Sequence, residues 1–234
     1  MKKIYFVSGI DTGVGKSFAT GMMARFLLAR DRRAATVKLV QTGCRESSED
    51  LELHRKLMGR GPLPEDAAKL TAPRIFLFPA SPHFAAAREN REVEPEKIAA
   101  AVTEVAAHYD MTLVEGAGGL AVPLTPDLLT IDFAAERHWP TILVTSGRLG
   151  SLNHTILSLE ALRARAMECA GVIFNFCSGA DPEISADTRR MIRRALRRYG
   201  FCARIADLGE VDPDHPEKTA CDFSPIFFAE ETRP

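Results

Sequence analysis

The segment Gly9-Ile10-Asp11-Thr12-Gly13-Val14-Gly15-Lys16-Ser17 constrains this chain more than any other. Ahead of it, Lys3-Ile4-Tyr5-Phe6-Val7-Ser8 is a short apolar run of β-formers, which predicts a buried strand. Behind it, residues 18–29 carry apolar side chains at helical spacing and no proline, which predicts a helix. A strand, a Gly-rich loop and a helix N-terminus make a phosphate cradle. Backbone N–H groups and the positive end of the helix dipole face the anion, Lys16 adds a full charge, and Ser17 offers a hydroxyl to Mg²⁺. The strict pattern G-x-x-x-x-G-K-[ST] requires glycine where Ile10 stands, and the interval from Gly9 to Gly15 is one residue longer. The alternative is a Gly-rich turn with a coincidental Lys-Ser pair. A strand before it and a helix after it favour a nucleotide loop of an unusual variety.

The rest of the chain repeats that alternation. Apolar runs at 34–40, 111–114, 141–144, 172–174 and 201–205 read as strands. Helical spacing covers 51–58, a segment opening at Ser81-Pro82-His83, 98–109 behind Pro95, 130–138, 152–166 and 187–199. The strands are apolar throughout rather than alternating, which predicts an α/β fold: a single domain, residues 1–234, with a mostly parallel sheet and helices on both faces, like a P-loop NTPase. From residue 207 the chain is acidic and contains prolines, which predicts a partly ordered tail over 207–234.

Composition removes several function classes. A formal net charge of −1 gives no electrostatic case for nucleic acid or an anionic membrane as partner. The pairs Arg189-Arg190, Arg193-Arg194 and Arg197-Arg198 recur at helical spacing and read as a solvated helix face, with an anionic partner as the alternative. No apolar run approaches membrane-spanning length, and the N-terminal residues read at once as the first strand, which predicts no signal peptide. The five cysteines are an odd number without a C-x-x-C pair, which predicts free thiols in a reducing, cytoplasmic setting.

In such sheets ligands sit at the carboxyl ends of the strands. Four predicted strand exits there carry unusual residues: Asp11-Thr12 with Lys16-Ser17, Lys38 with Thr42, Glu115 with Gly118-Gly119, and Asn175. Two of them have a plain reading: Glu115 a cap or ion-pair residue, Lys38 a lysine reaching from a strand end to water. Their joint arrival at one sheet edge favours a site. A carboxylate closing an apolar strand opposite a phosphate loop suits the Mg²⁺ of a nucleotide.

The set resembles the dethiobiotin synthetases. The matching residues are Gly9 to Ser17 with the same extra loop residue, Lys38 with Thr42-Gly43, and Ser81-Pro82-His83. They continue in the family's order with Glu115-Gly116-Ala117-Gly118-Gly119, Val122-Pro123-Leu124, Leu149-Gly150-Ser151-Leu152-Asn153-His154 and Asn175, so the resemblance covers residues 3–175. It implies a cytoplasmic, ATP- and Mg²⁺-dependent cyclo-ligase of biotin synthesis acting on 7,8-diaminononanoate and CO₂ or bicarbonate. A carbamate forms, ATP phosphorylates it, and the second amine closes the ring.

By the same resemblance Gly13, Val14, Gly15, Lys16, Ser17, Phe18, Glu115 and Asn175 bind the nucleotide, and Ser17, Asp50 and Glu115 hold the metal, with the adjacent Glu49 of the same polar loop as the alternative to Asp50. Thr12, Lys38, Thr42, Ser81, Gly118, Gly150 and Asn153 bind substrate, and Lys16, Lys38 and Thr12 are catalytic. The family is a homodimer in which the helix start at Gly150 to Asn153 holds the diamine's carboxylate for the neighbouring chain; an ordinary helix start is the alternative. The chain departs from the family at Leu39, and also at Phe176-Cys177-Ser178 after Asn175 and at Arg204 to Gly209; because of these last two the resemblance carries no base preference. The competing class is a nucleotide-switched ATPase of the partition or septum-positioning type. Those carry a second lysine early in the loop, where this chain has Ile10 and Asp11.

Overall fold

A computed structural model describes residues 2–176 and 180–228. The chain runs β1 (Lys3–Gly9), α1 (Lys16–Leu28), β2 (Ala34–Lys38), β3 (Gln41–Thr42), α2 (Glu49–Met58), α3 (Pro64–Ala67) and β4 (Ile75–Phe76). It continues with α4 (Pro82–Arg88), α5 (Pro95–Ala106), β5 (Met111–Gly119), β6 (Pro123–Thr125), β7 (Leu128–Leu129) and α6 (Thr130–Glu136). It ends with β8 (Thr141–Ser146), α7 (Ser151–Ala164), β9 (Cys169–Asn175), α8 (Pro182–Arg198), β10 (Ile205–Leu208) and α9 (Ser224–Phe227).

Six strands form one parallel sheet in the order β10-β9-β8-β1-β5-β2. β1 therefore lies inside the sheet, and the loop that follows it leaves from the middle of the carboxyl edge. Alternate strand side chains feed two cores. Tyr5, Val7, Leu113, Ile142, Val144 and Ile173 pack under α1, α2 and α9, while Phe6, Val114, Leu143, Val172 and Phe174 pack under α5 to α8. Both faces are covered, which is why the strands read as unbroken apolar runs.

The structure revises several boundaries. The second strand stops at Lys38 rather than 40, and the polar stretch before residue 51 is not all loop, since Ser48 caps α2 and places Glu49 and Asp50 in its first turn. Ser48 Oγ accepts from Leu51 N and donates to Gln41 Oε1, and the acidic first turn suits the helix dipole. The last strand is β10 at Ile205–Leu208, not 201–205. Its partner Asn175 fixes that register, and the apolar residues Phe201 and Ala203 pack instead as partly buried core. The acidic segment from residue 207 closes β10 and then turns Phe223, Ile226 and Phe227 into the core beside Tyr5 and Phe26. Residues 229–234 lie outside the described residues. On α8, Ile192, Ala195 and Leu196 are buried while Arg193, Arg194, Arg197 and Arg198 are exposed, the solvated face the spacing predicts. No helix among the described residues is long and apolar enough to cross a membrane.

Candidate active site

β1 delivers the loop, and α1 begins immediately behind it with Gly15 as N-cap at φ +94°. A side chain at Gly15 would be strained there and would run into the Asn175 amide. No side chain caps α1, so its first-turn amides are available to an anion. The buried Lys16 ammonium rests on the Asp11 carbonyl oxygen at 3.1 Å, within the loop it serves.

β2 and β5 are in register, Lys38 opposite Glu115, so both side chains leave the same face of the sheet at its carboxyl edge. That face is the one α1 and α2 cover. Lys38 Nζ lies 2.7 Å from Glu115 Oε1 and 2.6 Å from Asp50 Oδ2, and donates to the Gly116 carbonyl at 3.3 Å. Ser17 Oγ donates to Asp50 Oδ1 at 2.7 Å and lies within 3.0 Å of Glu115 Oε1. Asp50, not the exposed Glu49, is thus the acidic residue of α2 brought to the cluster.

The electrostatics follow from burial and pairing. Burial works against the Glu115 charge, but the Lys38 ammonium and the His54 ring outweigh it and hold the carboxyl well below the usual range. Burial likewise opposes the Lys38 charge. Glu115 and Asp50 together overcome it and lift its pKa above the ordinary lysine value. Lys16 goes the other way: burial lowers its pKa, and the nearby carboxylates only partly compensate. An incoming phosphate would restore the balance.

Thr12, Gly13, Gly15, Lys16, Ser17, Phe18, Lys38, Thr42, Asp50, Ser81, Glu115 and Gly118 all line one cleft of about 750 Å³. Val14 is buried beneath the loop, and its carbonyl accepts from Asn175 Nδ2 at 3.0 Å, so Asn175 touches the loop from behind. Gly150 and Asn153 do not line this cleft. Gly150 caps α7 at φ +93°, Asn153 is exposed, and Arg148 links this region to the loop through Asp11 at 3.2 Å. Cys177 and Ser178, in the departure after Asn175, lie outside the described residues. Sequence reasoning missed Gln41, Leu53 and Pro79, which also line the cleft, and the buried His54. His54 had one legible signal, its place four residues after Asp50.

The donor set of Ser17, Asp50 and Glu115 is all oxygen, which suits a hard divalent cation. Among the described residues no group of three or more His, Cys, Asp or Glu side chains is placed to hold a metal. Mg²⁺ usually takes one or two carboxylates and completes its shell with water and phosphate oxygens.

A family model described as an AAA domain matches residues 3–216. The ATP-dependent dethiobiotin synthetase BioD 2 of Pasteurella multocida is 43% identical over 199 residues, 85% of this chain and 93% of that one. The ATP-dependent dethiobiotin synthetase BioD of Chlorobaculum tepidum is 45% identical over 85% of this chain and 83% of its own. The chain belongs to the dethiobiotin synthetase family. Solved structures of more distant proteins share the fold alone. The MinC:MinD cell division complex of Aquifex aeolicus aligns over 92% of this chain and 86% of that one at TM-score 0.55 and 15% identity. A ParA family ATPase from Chlorobium tepidum aligns over 93% and 88% at TM-score 0.51 and 16% identity.

Proposed function

We propose that this enzyme closes the ureido ring of dethiobiotin at the expense of ATP. One amine of 7,8-diaminononanoate attacks CO₂ and loses a proton to give a carbamate. The carbamate oxygen attacks the terminal phosphorus of ATP and ADP leaves. The second amine then attacks the carbonyl carbon of the carbamic-phosphoric anhydride and loses a proton, and phosphate leaves with ring closure. Family membership supports the reaction, and one observation carries the assignment of the site: a second buried ammonium, Lys38, beside the phosphate loop in a cleft that continues to Thr42 and Ser81.

The carbamate and the transferring phosphoryl group are both anionic, so fixed positive charge is what the chemistry needs. Lys16 and the first-turn amides of α1 hold the phosphates. Lys38, kept protonated by its carboxylates, is a poor base and a good electrostatic stabiliser for the carbamate and its phosphorylated form. Glu115, held ionised well below neutral pH, is a poor base too. Thr12 and Thr42 donate hydrogen bonds to carbamate or phosphate oxygens. Ser17, Asp50 and Glu115 would hold Mg²⁺, which supplies charge neutralisation at the terminal phosphates. Gly150 and Asn153 lie outside the cleft lining, and the family resemblance supports a homodimer in which the neighbouring chain holds the far carboxylate of the diamine at the start of α7.

The direct test is ATP consumption by the purified protein, with product followed by mass spectrometry. Turnover should require diamine and bicarbonate together. ATP hydrolysis that ignores both would favour the switch-type ATPases instead. The dimer reading has its own test. Asn153→Ala should weaken diamine binding by about 1–3 kcal/mol, the range for a hydrogen bond to a charged group, and leave ATP affinity alone. Mixed dimers of Asn153→Ala and Lys38→Met chains should regain one intact site. No recovery in verified mixed dimers would place both residues in the same chain's site.

A further inference from the structure

His54 is wholly buried on α2 and shares a helix face with Asp50. It is not among the residues that line the cleft, though Glu115 is. Glu115 uses its two oxygens differently: Oε1 takes Lys38 Nζ at 2.7 Å and Ser17 Oγ at 3.0 Å, while Oε2 has His54 Nε2 at 2.8 Å. The other ring nitrogen, Nδ1, lies 3.1 Å from Thr36 Oγ1, which accepts from Arg55 Nη1 at 2.7 Å. Arg55 is in turn held by both Asp66 oxygens, at 2.8 and 2.6 Å.

Hydrogen accounting fixes the direction of the contact. An ionised Glu115 accepts only, so His54 Nε2 carries the hydrogen that faces it. The Thr36 hydroxyl, already accepting from Arg55, can donate its own hydrogen to Nδ1. A doubly protonated ring would present the same Nε2–H, so the contact is independent of the charge on His54.

We infer that His54 is a positioning residue that decides how Glu115 presents itself to the metal and nucleotide. The inference rests on the metal role given to Glu115 above. The terminal torsion of a glutamate is broad, so an untethered carboxylate would rotate between its oxygens. Tying Oε2 to a ring that is itself tied through Thr36 and Arg55 leaves Oε1 as the single oxygen aimed at Ser17 and Lys38. Because Asp50 and His54 ride on one helix, the docking of α2 sets both carboxylates at once. Gly21 of α1 permits that docking, since a Cβ there would lie 2.8 Å from the Leu57 Cβ and 3.3 Å from the His54 Cα.

The test is calorimetric titration of the full chain with a non-hydrolysable ATP analogue, without and with Mg²⁺. The wild type should bind more tightly with Mg²⁺, and Glu115→Gln should lose that gain. His54→Leu should keep the metal-free affinity within a few-fold while its Mg²⁺ half-saturation rises about 10- to 100-fold, the usual cost of removing a group that orients a metal ligand. His54→Gln should recover much of the loss, because its amide can donate from the position of Nε2, whereas the shorter His54→Asn should not. That pair carries the test if His54→Leu does not fold. Unchanged Mg²⁺ dependence in His54→Leu, or equal behaviour of the Gln and Asn variants, overturns the inference while the metal role of Glu115 stands. A wild type with no Mg²⁺-dependent gain overturns both.

Discussion

β2 and β5 are joined by an ion pair at each end, and the two pairs are physically unlike. At the carboxyl end Lys38 and Glu115 are 6% and 0% exposed, 2.7 Å apart, and surrounded by Asp50, Ser17 and His54. At the amino end Arg33 and Asp110 are 65% and 34% exposed and 2.8 Å apart, a comparable distance. Both ends are also concave: the amino end has a cleft of about 590 Å³ beside Arg32, Arg33 and Arg60. Charge and concavity therefore do not separate a site from a surface. Burial does, because taking ions out of water makes every remaining partner count. Water screens the Arg33 pair and leaves it little energetic role.

The largest effects should come from dismantling the buried end. Glu115→Gln keeps the shape and removes the charge, and turnover should fall by about 10²–10³, roughly 3–4 kcal/mol in the barrier. Unchanged turnover would make Glu115 structural. Lys38→Met should slow product formation by about 10²–10³ while nucleotide affinity stays within a few-fold. Loss of nucleotide binding in that variant would instead give Lys38 the role assigned to Lys16.

Lys38→Met also leaves Glu115 buried without its main counter-charge, at a cost of about 3–5 kcal/mol at neutral pH. The sign with pH follows from the lowered Glu115 pKa. Its pairing stabilises the fold above the ordinary glutamate value of 4.5 and is lost as pH falls toward the lowered folded value. Denaturant titrations of wild type and variant should therefore differ most at pH 7 and converge below pH 4.5. A constant gap would remove Glu115 titration from the account.

A smaller effect is expected from changing the helix spacing behind the buried end. Gly21→Ala forces α2 away from α1 and should cost about 1–3 kcal/mol of stability. The displaced Asp50 and His54 should reduce turnover by up to about 10²-fold. A variant that is destabilised yet fully active would show that α2 can move without moving the site. The smallest effect belongs to the exposed pair. Arg33→Ala should leave both activity and Tm nearly unchanged, because the Arg33 backbone N–H still donates to Asp110 at 3.0 Å. A large loss there would break the contrast between the two ends.

The sequence by itself determined the strand, phosphate loop and helix that open the fold, the alternation that makes the sheet parallel, and the arrival of Lys16, Lys38 and Glu115 at one edge. Those signals are local: glycines at a turn, a period of 3.6, apolar runs, and the rule that such sheets work at their carboxyl ends. Only the tertiary structure chose Asp50 over Glu49, because the choice depends on which face of α2 meets α1. The same docking brought in His54, whose partners Thr36 and Glu115 are 18 and 61 residues away. It also moved the last strand to Ile205–Leu208 and buried Phe223 beneath it. An edge strand takes its register from its neighbour, and a helical face takes its meaning from what it packs against. Neither neighbour is within reach of a local pattern.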